Sequence, residues 1–268
     1  RRYRALGDLV GQEKAHSNVA DALLELGRTN ESIAHFRASQ ELARRVGDPV
    51  RMAASLLNMG QALTVIGDEA GALDGYQQAV ESLDRLGHVE GASICRTNMA
   101  GIYVSMAQID AALEHLDTAE RGFEAVGASG HLSEVNRVRS AALAKAGAGE
   151  LALVTAQQAI DQATSLGRRV EEGAALRARA VAQLATGASR EVIHADFARS
   201  GELLEGVSAR YEMALTYLAW AEFAASAPSN MEADLARQLA AESSRLFTAI
   251  DATARARGAL GVASRVNS

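Results

Sequence analysis

Asn18, Asn58 and Asn98 stand 40 residues apart, each followed by a larger apolar residue and then a small one: Val19-Ala20, Met59-Gly60 and Met99-Ala100. Asparagine is an indifferent helix former, so three of them in register inside apolar helical patterns ask for a reason. A side-chain amide both donates and accepts, which matches a peptide unit without reading its sequence. The alternative is that each amide bonds a neighbouring backbone group or a water. Asp21 and Gln61 lie three residues beyond Asn18 and Asn58, about one helical turn on. After the third unit the ladder stops. Arg137 and Arg177, also 40 apart, then occupy the place one residue earlier, with Lys145 further along. Their forks suit a carboxylate and hence an acidic or C-terminal peptide. The competing reading is a solvated face paired to Glu134, Glu171 or Glu172.

Enzyme signatures are absent from the chain. Its six histidines form no H-E-x-x-H, and no Cys/His spacing suits zinc. His131 shares a helical face with Glu134, which reads as an exposed pair at a helix start. There is no G-x-x-x-x-G-K-[ST] loop, strand-led G-x-G-x-x-G or G-x-S-x-G elbow. The expectation is a non-catalytic protein without cofactor or metal. A formal net charge of −6 argues against nucleic acid, whose binding needs a concentrated basic surface. The most apolar stretch, residues 213–227, carries Glu222 and is too short for a span of about 20 residues. Cys95 is the lone cysteine and is read as a packing or half-exposed thiol. With no second cysteine for an internal disulfide, the chain suits a reducing, cytoplasmic setting.

The elements that must position these residues show themselves through glycine. Steps of 20 from Gly7 reach Gly27, Gly47, Gly67, Gly87, Ala107, Gly127, Gly147, Gly167 and Gly187, a run that 23 glycines in 268 residues would not produce by chance. Glycine just past a helix end adopts the left-handed conformation that closes it, so each marks a boundary after a helix. Between the marks, two helix types alternate. Met52, Leu56, Met59, Leu63 and Ile66 make one apolar face, and Ala72, Tyr76, Ala79, Leu83 and Leu86 make the other. Neither helix can bury its face alone. Stacked 40-residue pairs can, which predicts an all-α solenoid. Two prolines and 4% aromatics agree with close-packed helices.

Leu56, Met59-Gly60, Leu63, Gly67, Ala72, Tyr76 and Ala79 resemble the tetratricopeptide repeat in a long, 40-residue form. Val19-Ala20, Leu23, Gly27, Ser32 and Phe36 repeat the pattern one unit earlier, and Met99-Ala100, Tyr103, Ala112, Leu116 and Ala119 one unit later. Gly60, Ala20 and Ala100 then share one site, where the partner helix comes nearest and only a hydrogen or methyl fits. The resemblance implies a right-handed superhelix of about six pairs whose first helices line a concave groove. It also implies that asparagines at the ladder position hold the backbone of a bound peptide, as in kinesin light chain repeats.

The expected organisation is a preceding helix tail at 1–8, then units at 9–47, 48–87, 88–127, 128–167 and 168–207. A last pair follows at 208–251, and a cap or frayed tail at 252–268. The fourth and fifth units are degenerate, with Arg139 and Arg179 at a usual leucine place and one extra residue after Gly187, which leaves their helix rotation open. In the last pair the turn holds Pro228, with Ser229 and Glu232 as a capping box. The array is expected to start upstream, as part of a larger signalling or regulatory protein that binds a protein or peptide. The alternative is a ligand-sensing or autoregulatory array of a bacterial ATPase-linked transcription regulator, cyclase or kinase, with other domains of its own parent protein as partners.

Overall fold

A computed structural model describes residues 3, 6–226 and 229–265. Among these residues it contains no strand and thirteen α-helices. Six pairs follow one another: α1 (Leu9–Glu25) with α2 (Thr29–Val46), α3 (Pro49–Ile66) with α4 (Glu69–Arg85), α5 (Val89–Ser105) with α6 (Ile109–Ala125), α7 (Leu132–Lys145) with α8 (Gly149–Ser165), α9 (Arg169–Thr186) with α10 (Arg190–Gly206), and α11 (Arg210–Ala225) with α12 (Asn230–Thr248). A final helix, α13 (Thr253–Arg265), packs on α12 and α11. Each helix packs on the next, and each pair on its neighbours, as a stacked array requires.

Local chemistry explains the boundaries. All nine glycines of the 20-residue step have positive φ, and Ala107 takes φ 58° in the tenth place. The turn geometry is therefore kept even where a methyl group strains it. After Gly187 the step lengthens: Ser208 and Asp251 are the next positive-φ residues. Asp8, Asp48 and Asp68 follow three of the glycines and cap the next helix, each accepting a backbone N–H, as at Gly11 (2.8 Å). Ser229 accepts from the Glu232 N–H at 3.2 Å, while Pro228 lies outside the described residues. At the start, Tyr3 is helical and its carbonyl accepts from the Asp8 N–H, whereas Arg1, Arg2, Arg4 and Ala5 lie outside the described residues.

Packing within pairs follows a size exchange. A Cβ built on Gly60 would stand 2.7 Å from the Tyr76 ring of α4, so glycine is required there by an aromatic side chain rather than by touching backbones. The equivalent couples are Ala20 with Phe36, Ala100 with Leu116, Ser140 with Ala156, and Ala180 with Phe197, all buried. Where the first residue gains an atom, the second is generally smaller, which keeps the interior near its usual packing density. Arg139 and Arg179 leave helix rotation unchanged, because their neighbours Ser140 and Ala180 stay fully buried. Their charged heads reach second helices instead, Arg139 to Asp117 and Glu120, and Arg179 to Asp196.

The array bends until its ends meet. Thr29 Oγ1 donates to the Ile250 carbonyl (2.8 Å), and the Asn30 N–H donates to Asp251 Oδ2 (3.1 Å). Arg255 of α13 donates through Nη2 to the Thr64 carbonyl (2.9 Å). Gly27 sits under this contact, where a Cβ would stand 2.8 Å from the Ala249 carbonyl oxygen. The C-terminal segment is thus a helix through Gly258 and Gly261, anchored by buried Ala256, Ala259 and Val262. Residues 266–268 of the expected tail lie outside the described residues.

Candidate functional site

A chamber of about 400 Å³ lies where the first helices converge. Its walls come from α3, α5, α7, α9 and α11, with Glu69 and Tyr76 from α4 and Arg255 from α13. Helical spacing places these residues: within α5, Thr97, Asn98, Gly101, Ile102 and Ser105 recur at intervals of one turn and all line the space.

Of the sequence-predicted residues, Gln61, Asn98, Arg137 and Arg177 are brought together here. Asn18 and Asp21 lie on α1, Asn58 is half-buried on α3, and Lys145 donates to the Val104 carbonyl at 2.8 Å; none of these four lines the chamber. The ladder is separated: Asn18 is exposed on α1, whereas Asn98 is half-buried on α5 and lines the chamber.

Charge in the chamber is arranged in pairs. Arg137 forms a two-pronged contact with Glu134, its Nε 2.7 Å from Oε2. Burial works against the Arg137 charge, but Glu134, and beyond it Glu212, hold its guanidinium above the ordinary value. Arg177 is buried and donates to the Glu212 carboxylate (2.7 Å), the Glu212 carbonyl (3.0 Å) and Thr216 Oγ1 (3.2 Å). Burial would raise the Glu212 carboxyl, yet Arg177 and Arg137 bring it below the usual range. The two arginine forks foreseen for a carboxylate are therefore already engaged. Glu134 is the partner anticipated for Arg137, while Glu171 bonds Arg168 and Ser133 instead.

Two buried donors of the lining have no hydrogen-bond partner: the Asn98 amide nitrogen and Arg255 Nε. Asn98 stands beside the Tyr76 hydroxyl without a well-formed bond to it. Burial pushes the Tyr76 phenol up, and it does the same to Tyr211, whose hydroxyl lies near Arg255, Arg177 and Arg137. Sequence reading missed Tyr211, Glu212 and Arg255, because they belong to the least regular pair and to the tail. Arg255 lies within the R-A-R run of that tail, which is the one signal the sequence carries for it.

Other candidates resolve into structure. His131 contacts Glu90 (3.1 Å) rather than Glu134 and stacks on Phe123. Cys95 is core, its thiol pushed up to about 12 by burial. A wider open groove of about 1040 Å³ lies between α10 and α12. There Trp220 Nε1 donates to His194 Nδ1 (2.7 Å), while His194 Nε2 and Arg190 meet Glu232 at 2.9 and 3.0 Å, a brace between the two helices. Among the described residues there is no group of His, Cys, Asp and Glu able to hold a metal, and no helix long and apolar enough to cross a membrane.

Helix pairs stacked around a small inner chamber define a helical-repeat array with a concave site. Residues 12–85 match the tetratricopeptide repeat family model. No curated protein matches the chain. Among solved structures, a Rap protein complexed with Competence and Sporulation Factor aligns over 96% of this chain and 75% of its own, with TM-score 0.69 and 12% identity. Putative kinesin light chain repeats from Podosopora anserina align over 72% and 95%, with TM-score 0.52 and 15% identity. BtubC (BKLC) from P. vanneervenii aligns over 89% and 91%, with TM-score 0.53 and 15% identity. At these identities the likeness is one of fold.

Proposed function

We propose that the chain is a non-catalytic scaffold that binds a protein or peptide segment in the concavity formed by its first helices. The observation that carries this is the chamber itself, an inward-facing space lined by five successive first helices and holding a buried asparagine amide without a partner. Unsatisfied buried donors are uncommon in folded proteins, and each calls for an explanation. The Rap structure, with its bound factor, lends the same fold to the same kind of task. Asn18, Asn58, Asp21 and Lys145 extend the proposed contact surface beyond the chamber. Arg137 and Arg177 form its charged floor, and a preference for acidic or C-terminal segments there would require a ligand to compete with Glu134 and Glu212.

A second reading is a sensor array in a cytoplasmic bacterial signalling or transcription-regulatory protein, which receives a small ligand or its own parent's domains. The small half-open chamber and the contact between the two ends support it.

The test is selection of displayed random heptapeptides on the immobilised protein, followed by calorimetry on enriched sequences. Asn98→Ala and Asn58→Ala are each expected to weaken binding while leaving thermal unfolding nearly unchanged. Undiminished binding by both variants removes the amide reading. Absence of any enriched peptide, with a small metabolite raising the melting temperature instead, moves the assignment to the sensor.

A further inference from the structure

On the outer face of the array, one recurring position of the first helices reaches toward the gaps between second helices. Arg139, Arg179 and Trp220 occupy it in turn, at a step of 40 and then, past the extra residue after Gly187, of 41. Arg139 donates to Asp117 and Glu120 of α6 at 3.0 and 2.7 Å. Arg179 ties α8 to α10, with Gln157 on one side (2.6 Å) and Asp196 on the other (2.7 and 2.6 Å). The accepting position steps the same way, from Asp117 to Gln157 to Ala198. In the last gap both the arginine and its acceptor are therefore replaced.

Trp220 does not rebuild the bridge. Its indole turns to α10, stacked on Phe197 with ring centroids 6.1 Å apart and bonded to His194, and the gap beyond it is the open groove of about 1040 Å³. The walls run from Glu191 to Ala198 on α10 and from Met231 to Gln238 on α12, about 10 Å or two helical turns each. Contacts of Arg190 and His194 with Glu232 hold the starts of the two helices together. Glu191, Glu232 and Asp234 thus gather at one end of the groove, with Ala195, Ala198 and Leu235 further along it. The arginine of the lining, Arg190, is engaged by Glu232 and lies over the Phe223 ring at 3.9 Å, and among the described residues no cation forms an ion pair with Glu191. Three carboxylates against one guanidinium favour a cationic occupant. Met231 stands on the rim with 80% of its surface exposed, which asks for an apolar neighbour beside that cation.

We propose that this outer groove docks a basic amphipathic helix of a partner protein. An arginine of that helix enters the acidic end beside Trp220, in the place that Arg179 fills one gap earlier, and an apolar residue a turn away lies on Ala198 and Leu235. Arginine is favoured over lysine because its planar fork stacks on an aromatic ring while it meets a carboxylate. A helix is favoured because a groove two turns long between two helices takes the i and i+4 side chains of a third. The site is separate from the inner chamber, with which it shares no lining residue.

The probe is a displayed library of alanine-based helices of about 14 residues, four turns long, randomised along one face and selected on the unmodified protein. Trp220 is the one tryptophan of the chain, so its emission reports on this groove. Enriched helices are expected to carry arginine at a randomised position and to shift that emission on titration. Glu191→Lys and Asp234→Lys, both at exposed positions, are each expected to weaken binding about tenfold. Changing the peptide arginine to glutamate is expected to abolish binding, a test that holds even if a protein variant fails to fold. Enriched helices without a basic residue, an unmoved Trp220 emission, or equal affinity in both lysine variants overturns the proposal. Arginine amide binding as tightly as the helix also overturns it, by making the groove a site for small cations. If selected helices lose affinity in Asn98→Ala but not in the lysine variants, this inference falls and the inner-chamber reading stands. If nothing is enriched, the docking proposal falls.

Discussion

At the narrowest point of the α3/α4 pair, a glycine lies against the face of a buried tyrosine. In α9/α10 the corresponding turn carries Arg179, which reaches Asp196 through two contacts of 2.7 and 2.6 Å, with Gln183 Nε2 on the same carboxylate at 2.8 Å. The early pairs are joined by one continuous apolar cluster running from Ala20 to Ile102. The later ones have smaller, separate clusters, with Arg177 reaching Glu212 of the next pair and Arg179 reaching Asp196 within its own. The comparison teaches that a repeat can surrender its leucine without losing the helix pair, provided the replacement has a long apolar stem and a carboxylate within reach. Specificity of pairing there rests on charge geometry, as it also does in the early pairs where Arg51 meets buried Glu13.

The sharpest way to break this comparison is Glu212→Gln. It leaves buried Arg177 without the counter-charge of half-buried Glu212 and is expected to cost about 3 kcal/mol, read from the urea midpoint. The same pair sets a pH dependence. The Glu212 carboxyl is lowered in the folded state, so its contribution is complete above the ordinary carboxylate value and is lost as pH falls through the depressed one. With Glu212→Gln in place, stability should therefore fall less steeply below about pH 4.3 than in the parent. An identical slope in the two proteins would remove Glu212 from the electrostatic account.

Gly60→Leu tests the apolar half by overpacking the Tyr76 ring, with an expected loss of about 2 kcal/mol. Full stability in this variant would mean the close contact is misassigned. A second mid-helix glycine sharpens the point. Gly101 has open space where a Cβ would go, so Gly101→Ala is expected to stabilise by roughly 0.5–1 kcal/mol. Opposite signs at two glycines in equivalent helices would separate packing from backbone entropy. The smallest effect is expected on the surface. Glu31→Ala removes an exposed pair with Arg28, and the melting temperature should not move beyond error.

Legibility differed by feature. The positive-φ step was readable because its conformational demand is local and glycine answers it, and Ala107 shows that the register outlives the residue type. Gly60 signalled a close contact through its helix-breaking cost, although the sequence left open that a ring and not a backbone fills the space. The 40-residue spacing of the asparagines said that they share a position, not that Asn98 would line the chamber while Asn18 stays exposed. Arg137 and Arg177 stood out by spacing, but the partner that neutralises Arg177 is 35 residues downstream in the least regular pair.

By itself, then, the sequence determined the helices, their pairing and the direction of stacking, since these depend on periods of about 3.6 residues and turns closed within a few residues. Which side chains share the chamber was decided in three dimensions. Small rotations between successive pairs add up along the array, and only their sum brings Arg255 to Thr64 and Ile250 to Thr29.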